Sequence, residues 1–333
     1  MSILDRFTRK NRLIVGIGSP LIDILAHEND AFLEKVDAVK GGMTYVEKET
    51  IDSVISRTSG KPSVVPGGSA CNTVIGIAKL GGPSRFVGKC GNDDMGDYFK
   101  KNLHQQNVEP HIMTSSSPSG RVLSIITPDA QRSMLTFLGA SAETIPEDIS
   151  EACFAGAAVV HVEGYLLFNA DLIHSVLHKA RNAGAVISLD LASFTVVESS
   201  KAILNEIITE FVDILIANED EAKALTGHSD EIKAIRALSE RAEIAVLKVG
   251  KHGSYIAHAG DIIKVDPVGS ERVVDTTGAG DLWASGFLFG LVNRYPLEEC
   301  GRLGSICGYE VCRVVGTNIP QDGWMKIKQL LKS

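Results

Sequence analysis

The chain of 333 residues carries a formal net charge of −8, with 33 Lys and Arg against 41 Asp and Glu. That acidic balance argues against a nucleic-acid partner, because phosphate backbones bind basic faces, and it points to small-molecule work. The length allows one large α/β domain that buries roughly three quarters of its surface. The six cysteines (Cys71, Cys90, Cys153, Cys300, Cys307, Cys312) are dispersed with no C-x-x-C pair and read as reduced interior residues. The opening MSILDRFTRKNR lacks the apolar core of a secretory signal. No later run approaches the about 20 apolar residues of a membrane span, so a cytoplasmic protein with no membrane partner is expected.

Residues 13–17, LIVGI, predict a first strand that runs into Gly18-Ser19-Pro20-Leu21-Ile22-Asp23. A dinucleotide-binding reading fails on spacing, since the third glycine of G-x-G-x-x-G would fall on Leu21. Asp23 taken alone is a turn-capping side chain. Residues 24–46 hold no single period, whereas 47–58 predict a helix with Ile51, Val54 and Ile55 on one face. Pro66-Gly67-Gly68-Ser69-Ala70-Cys71-Asn72 then enters a helix whose face carries Val74, Ile77, Ala78 and Leu80. The small residues let a ligand approach the backbone, and Asn72 can both donate to and accept from a diol. A plain glycine turn before a helix explains the glycines equally well. Residues 86–97, FVGKCGNDDMGD, predict a strand, an acidic turn and a helix start, with the acids as caps and surface groups.

Residues 111–138 turn to strands broken at Pro118, Gly120 and Pro128, with 122–127 and 133–137 as hairpin partners. Beyond them, apolar runs at 159–162, 186–190, 214–217 and 245–249 alternate with helical stretches. This alternation predicts parallel βαβ units, whose ligands bind past the carboxyl ends of the strands. Glu163 ends one such strand and is a candidate for positioning substrate. Asn218 and Glu221 end another and read locally as an acidic helix start. Gly250 and Gly253 read locally as hairpin glycines. His174 and His178 lie one helical turn apart, but without H-E-x-x-H order or a third ligand they carry no metal reading.

The densest stretch is 272–292, RVVDTTGAGDLWASGFLFGLV, in which Gly278-Ala279-Gly280 joins a short apolar run to an apolar helix expected to begin at about Asp281. The first turn of that helix leaves backbone N–H groups free to hold a cluster of negative oxygens. Asp281 is therefore either a cap for those amides or a base facing a phosphate-transfer site.

Asp275-Thr-Thr-Gly-Ala-Gly-Asp281 resembles the C-terminal signature of the ribokinase-like (PfkB-type) sugar and nucleoside kinases, and residues 66–82 resemble their N-terminal one. The run S-P-L-I-D, ending at Asp23, is similar to the N-P-L-L-D of the adenosine kinases in that family. The resemblance spans residues 12–320. It implies a three-layer α/β/α core (12–23, 47–110 and 139–333) with a mostly parallel central sheet, and a small β-sheet lid from two segments, 24–46 and 111–138. It implies Asp281 as general base, with the amides of Gly278, Ala279 and Gly280 as the anion hole. It further implies Asp23, Gly67, Gly68 and Asn72 on the sugar, and Asn218, Gly250 and Gly253 at the nucleotide. Glu221 would order magnesium through water, and Asp275, Thr277 and Gly316 would surround a monovalent cation such as potassium.

The reaction so implied is transfer of the γ-phosphoryl group of Mg-ATP to a primary hydroxyl, in a monomer or homodimer. Ser69, where ribokinases carry Lys, favours a nucleoside, adenosine first, over free ribose or fructose. The run at 307–311, CGYEV, departs from the family pattern beside adenine. A non-catalytic nucleoside or sugar sensor on the same fold is the rival class, and it would have no need of the base.

Overall fold

Residues 2–8, 11–129, 131–269 and 273–330 are described here from a computed structural model. Arg272, at the head of the 272–292 stretch, lies outside the described residues, as do Met1, Arg9 and Lys10 of the opening segment. The chain forms β1 (Leu13–Ile17), β2 (Leu21–His27), β3 (Met43–Tyr45), β4 (Ser63–Gly67), β5 (Ser84–Gly91), β6 (Glu109–Ser115) and β7 (Gly120–Ile126). These are followed by β8 (Arg132–Phe137), β9 (Ala157–Glu163), β10 (Val186–Asp190), β11 (Ile214–Asn218), β12 (Ile244–Lys248), β13 (Ser254–His258) and β14 (Asp261–Val265).

A nine-stranded sheet has the order β14-β13-β12-β11-β10-β9-β1-β5-β6. Every pairing from β12 to β6 is parallel, and β13 and β14 add an antiparallel edge. Alternate residues of each inner strand feed two separate cores. Val15, Val160, Ile187, Leu215 and Ala245 pack toward the helices Ala170–Asn182 and Lys201–Phe211. Ile14, Val159, Val186, Ile214 and Ile244 pack toward the helix Ala279–Val292. Burial on both faces is why these strands read as largely apolar runs in the sequence, the buried His161 and Ser188 being bonded to each other. It also makes the core a three-layer α/β/α sandwich, the ribokinase-like fold that the sequence implied.

The helix Ala279–Val292 is buried nearly all round, the pattern of a helix enclosed by protein. Gly286 and Gly290 let the helix Leu297–Val311 approach closely, since a Cβ on either would lie within 3.0 Å of atoms of Leu303, Gly304 or Cys300. The six cysteines are free, as expected.

A second sheet of five strands has the order β3-β8-β7-β2-β4 and covers the carboxyl ends of the large sheet on one side. The hairpin of β7 and β8 is present as expected. The lid boundaries differ from 24–46 and 111–138. The small sheet takes β2 from Leu21 and also β4 at Ser63–Gly67, while β6, with His111–Ser115, pairs with β5 in the large sheet. β4 pairs antiparallel with β2, and its half-exposed burial lacks the two-sided enclosure of a central strand.

Candidate active site

The chain runs outward from β1 through β5 to β6 on one side, and from β9 through β10 and β11 to β12 on the other. The reversal lies between β1 and β9, where α/β sheets open a crevice for ligands. Glu163, the last residue of β9, is 1% exposed there. Its carboxylate accepts from the Ser19 amide at 2.7 Å and the Ala70 amide at 3.2 Å. Burial pushes its pKa up to about 7 against those two bonds. Glu163 thus ties the turn after β1 to the first turn of the helix Ser69–Leu80.

Gly68 is the N-cap of that helix at φ 101°, a conformation that favours glycine. Gly67 makes room for a side chain, since a Cβ there would stand 2.3 Å from an Asp23 carboxylate oxygen. Asp23, on β2, is 9% exposed. Burial pushes its pKa up to about 6, with the Arg132 guanidinium acting in the opposite direction. It lies in a strand and caps no turn.

The C-terminal signature differs in one detail from expectation. The helix begins at Ala279 with Gly278 as N-cap at φ 73°, so Asp281 is its third residue, with no cap hydrogen bond. The capping reading therefore falls. Instead, Asp281 accepts from Ser69 Oγ at 2.7 Å and Asn72 Nδ2 at 2.9 Å, both on the helix Ser69–Leu80. Thr73 Oγ1 donates to the Asp281 carbonyl at 3.1 Å and Ser285 Oγ donates to the Thr73 carbonyl at 2.8 Å, fastening the two helices together. Burial raises the Asp281 pKa to about 6, and the Asn72 and Ser69 bonds restrain the rise.

Asp23 and Asp281 line a cleft of about 390 Å³ between the sheets, together with Gly68, Asn72 and the turn 276–280. A second cleft of about 620 Å³ shares Asn218, Lys248, Thr276, Ala279 and Gly280 with the first and holds Gly250 and Gly253. Gly250 (φ 51°) and Gly253 (φ 92°) do form the turn between antiparallel β12 and β13, so the hairpin reading holds while the same glycines line the cleft. Asn218 and Glu221 form a reciprocal capping box, with Asn218 Oδ1 accepting from the Glu221 amide at 2.9 Å and Glu221 Oε2 accepting from the Asn218 amide at 2.8 Å. Burial, then repulsion from Asp190, pushes Glu221 up to about 7.

Three charged groups of the site escaped the sequence reading. Lys248 Nζ lies 3.0 Å from Asp190 Oδ2, with both side chains under 15% exposed. The ammonium reaches the turn 276–280: a Cβ on Gly280 would be 3.1 Å from Nζ. Burial disfavours both charges, yet each sustains the other, Asp190 lying below its usual range and Lys248 above its own. Their strands were legible, but the pair is 58 residues apart and nothing in either run marked it. Arg132, on β8, donates to Thr277 Oγ1 at 2.8 Å, joining the small sheet to the same turn.

Asp275, Thr277 and Gly316 do converge. Asp275 Oδ1 accepts from the Thr277 amide at 2.9 Å and from its hydroxyl at 2.6 Å, and Oδ2 accepts from the Gly316 amide at 2.8 Å. The chain's own donors thus engage both oxygens and tie the three residues together. His174 and His178 pack their rings on Phe211 and form no metal cluster. Among the described residues, Glu219, Glu231 and His252 are the only group with metal-ligand spacing, and it is largely exposed.

The pfkB family carbohydrate kinase pattern matches residues 31–323. The chain belongs to that family. It is accordingly a phosphotransferase. It is similar to the adenosine kinase from Sinorhizobium meliloti, at 31% identity and TM-score 0.89 over 96% of this chain and 99% of that one. A probable sugar kinase from Rhizobium etli CFN 42 is equally similar, at 31% identity and TM-score 0.89, over 96% and 98%. A 5-dehydro-2-deoxygluconokinase of Geobacillus thermodenitrificans is 29% identical over 255 residues, 72% of this chain and 76% of its own length. Both nucleoside and sugar kinases thus stand among its relatives.

Proposed function

We propose that this pfkB-family kinase transfers the γ-phosphoryl group of ATP to the primary hydroxyl of an adenosine-like nucleoside. The observation that carries the reading is Asp281, held by Ser69 and Asn72 in the first cleft, directly after Gly280, which lines both clefts. The acceptor occupies the cleft under the small sheet, with its diol at Asp23 and Gly67–Gly68 and its primary hydroxyl at Asp281. ATP occupies the other cleft, along Asn218 and the Gly250–Gly253 turn. Asp281 takes the hydroxyl proton as the oxygen attacks in line. The amides of Gly278, Ala279 and Gly280, with Lys248, receive the negative charge of the transferring group.

Magnesium fits the donor set through water. Glu221 and Asp190 offer carboxylate oxygens already engaged by Asn218 and Lys248, and Mg²⁺ usually keeps several of its waters. When bound, it would neutralise phosphate charge, and no step here is routed through it. Asp275, Thr277 and Gly316 come together as a monovalent-cation site would need, and the Asp275 oxygens keep lone-pair capacity beyond the bonds they accept.

The nucleoside is favoured over a free sugar by the small sheet's contribution to the acceptor cleft. Leu21, Met43, Val122 and Met134 line it beside Tyr45, an apolar surface suited to a flat base and of no use to a small polyol. The free-sugar alternative keeps support from the 29% identity to the Geobacillus enzyme, a 5-dehydro-2-deoxygluconokinase. The test is ADP release with nucleosides, pentoses, hexoses and 5-dehydro-2-deoxygluconate as acceptors. A higher kcat/KM on any sugar than on adenosine would overturn the nucleoside reading and leave the kinase intact.

A further inference from the structure

A third cavity, of about 380 Å³, lies against the acceptor cleft, and Tyr45, Leu138 and Tyr165 line both. Tyr45 is on the three-residue strand β3, which pairs only with β8, whereas Tyr165 follows β9 in the large sheet. The dividing wall is therefore half small sheet and half core. Ile149, Leu166, Phe168 and Leu172 line the cavity's far side. Tyr45 and Phe168 are 48% and 53% exposed, aromatic surfaces left open to water.

Among the cavity's polar side chains, Ser141, Thr144 and Asn169 are bonded to the chain itself, which leaves the Tyr45 and Tyr165 hydroxyls at the wall shared with the acceptor cleft. Ser141 Oγ donates to the Leu138 carbonyl at 2.7 Å and Thr144 Oγ1 to the Ser141 carbonyl at 2.8 Å. Asn169 caps the Leu172 amide at 3.1 Å and donates to the Thr144 carbonyl at 3.3 Å. The one charged lining residue, Asp171, is exposed and anionic, so a phosphate or carboxylate has no cation to meet. What remains to offer is apolar and aromatic surface continuous with the wall of the acceptor cleft.

We infer that this cavity receives a bulky apolar substituent on the base of the acceptor, at the edge remote from the ribose, so that the enzyme accepts base-extended nucleosides. The inference rests on the nucleoside reading above. With the primary hydroxyl at Asp281 and the diol at Asp23, the base extends toward Tyr45 and Tyr165, and a group on its far edge passes between them. Size permits this, since an apolar cavity of about 150 Å³ already admits benzene in another protein.

The experiment compares adenosine with N6-benzyladenosine on the wild type and on Ala142→Trp and Ala170→Trp. Both alanines are exposed, line the cavity and stay clear of the acceptor cleft. The wild type should use the two nucleosides with kcat/KM within about tenfold. Each indole should cut N6-benzyladenosine by about tenfold or more while sparing adenosine, the scale on which pockets discriminate apolar groups. Melting temperatures check that the variants fold. Use of adenosine with rejection of N6-benzyladenosine by more than about a hundredfold would overturn the inference alone. So would equal losses on both substrates in folded variants. If neither nucleoside were phosphorylated, the nucleoside reading would fall and this inference with it.

Discussion

Ser69 Oγ lies 2.7 Å from Asp281 Oδ1, although 212 residues separate them in the chain. The contact joins the two glycine-turn-and-helix signatures into one unit. It also gives a place to the residue that departs from the ribokinase pattern, because Ser69 holds the carboxylate proposed as the base.

Asp281→Asn should fold and bind both ligands yet lose roughly 10²- to 10⁴-fold in turnover, the usual worth of a positioned general base. Steady-state kinetics beside calorimetric titration of each ligand measure this. Near-normal turnover would remove Asp281 from the role.

The acid limb of activity should follow the Asp281 carboxyl, whose pKa is raised to about 6 chiefly by burial. The base must be ionised, so kcat should fall as pH drops through that value and level off above it. The Ser69 bond lowers this pKa, so Ser69→Ala should move the limb to higher pH. A limb unmoved in that variant belongs to another group, with Asp23 the next to test.

Asp23→Ala should weaken the acceptor far more than ATP, at about 1–3 kcal/mol for each buried polar partner left unpaired. Asn72→Ala should do more than loosen the acceptor. Its side-chain amide is bonded to Asp281 at 2.9 Å, so turnover should drop and the acid limb should rise as well. Titration of both ligands into each variant separates the two patterns, and an ATP-only defect would exchange the subsites.

Lys248→Met leaves the buried Asp190 charge uncompensated and should cost about 3–5 kcal/mol of stability along with activity. In the double variant Lys248→Met/Asp190→Leu the orphaned charge is gone, so stability should recover while phosphoryl transfer stays impaired. Urea unfolding and kcat, measured on the same preparations, decide. Recovery of both would make the pair purely structural.

The sequence alone was enough to read parallel βαβ units, because two-sided burial leaves largely apolar runs at 159–162, 186–190 and 214–217 that alternate with helical stretches, and the family resemblance implied the three-layer fold. It also located the Gly278–Gly280 turn, where helix geometry leaves free amides whatever the rest of the chain does. Only the tertiary structure removed the capping reading of Asp281, since the Ser69 and Asn72 that hold its carboxylate come from a helix more than 200 residues away. It moved β4 into the small sheet and β6 into the large one, because partner strands and not local propensity settle which sheet a half-polar strand joins. It brought Lys248 against Asp190, and Arg132 against Thr277. Such pairs leave no local trace: a charge at a strand end reads as solvated until a distant carboxylate or hydroxyl is folded against it.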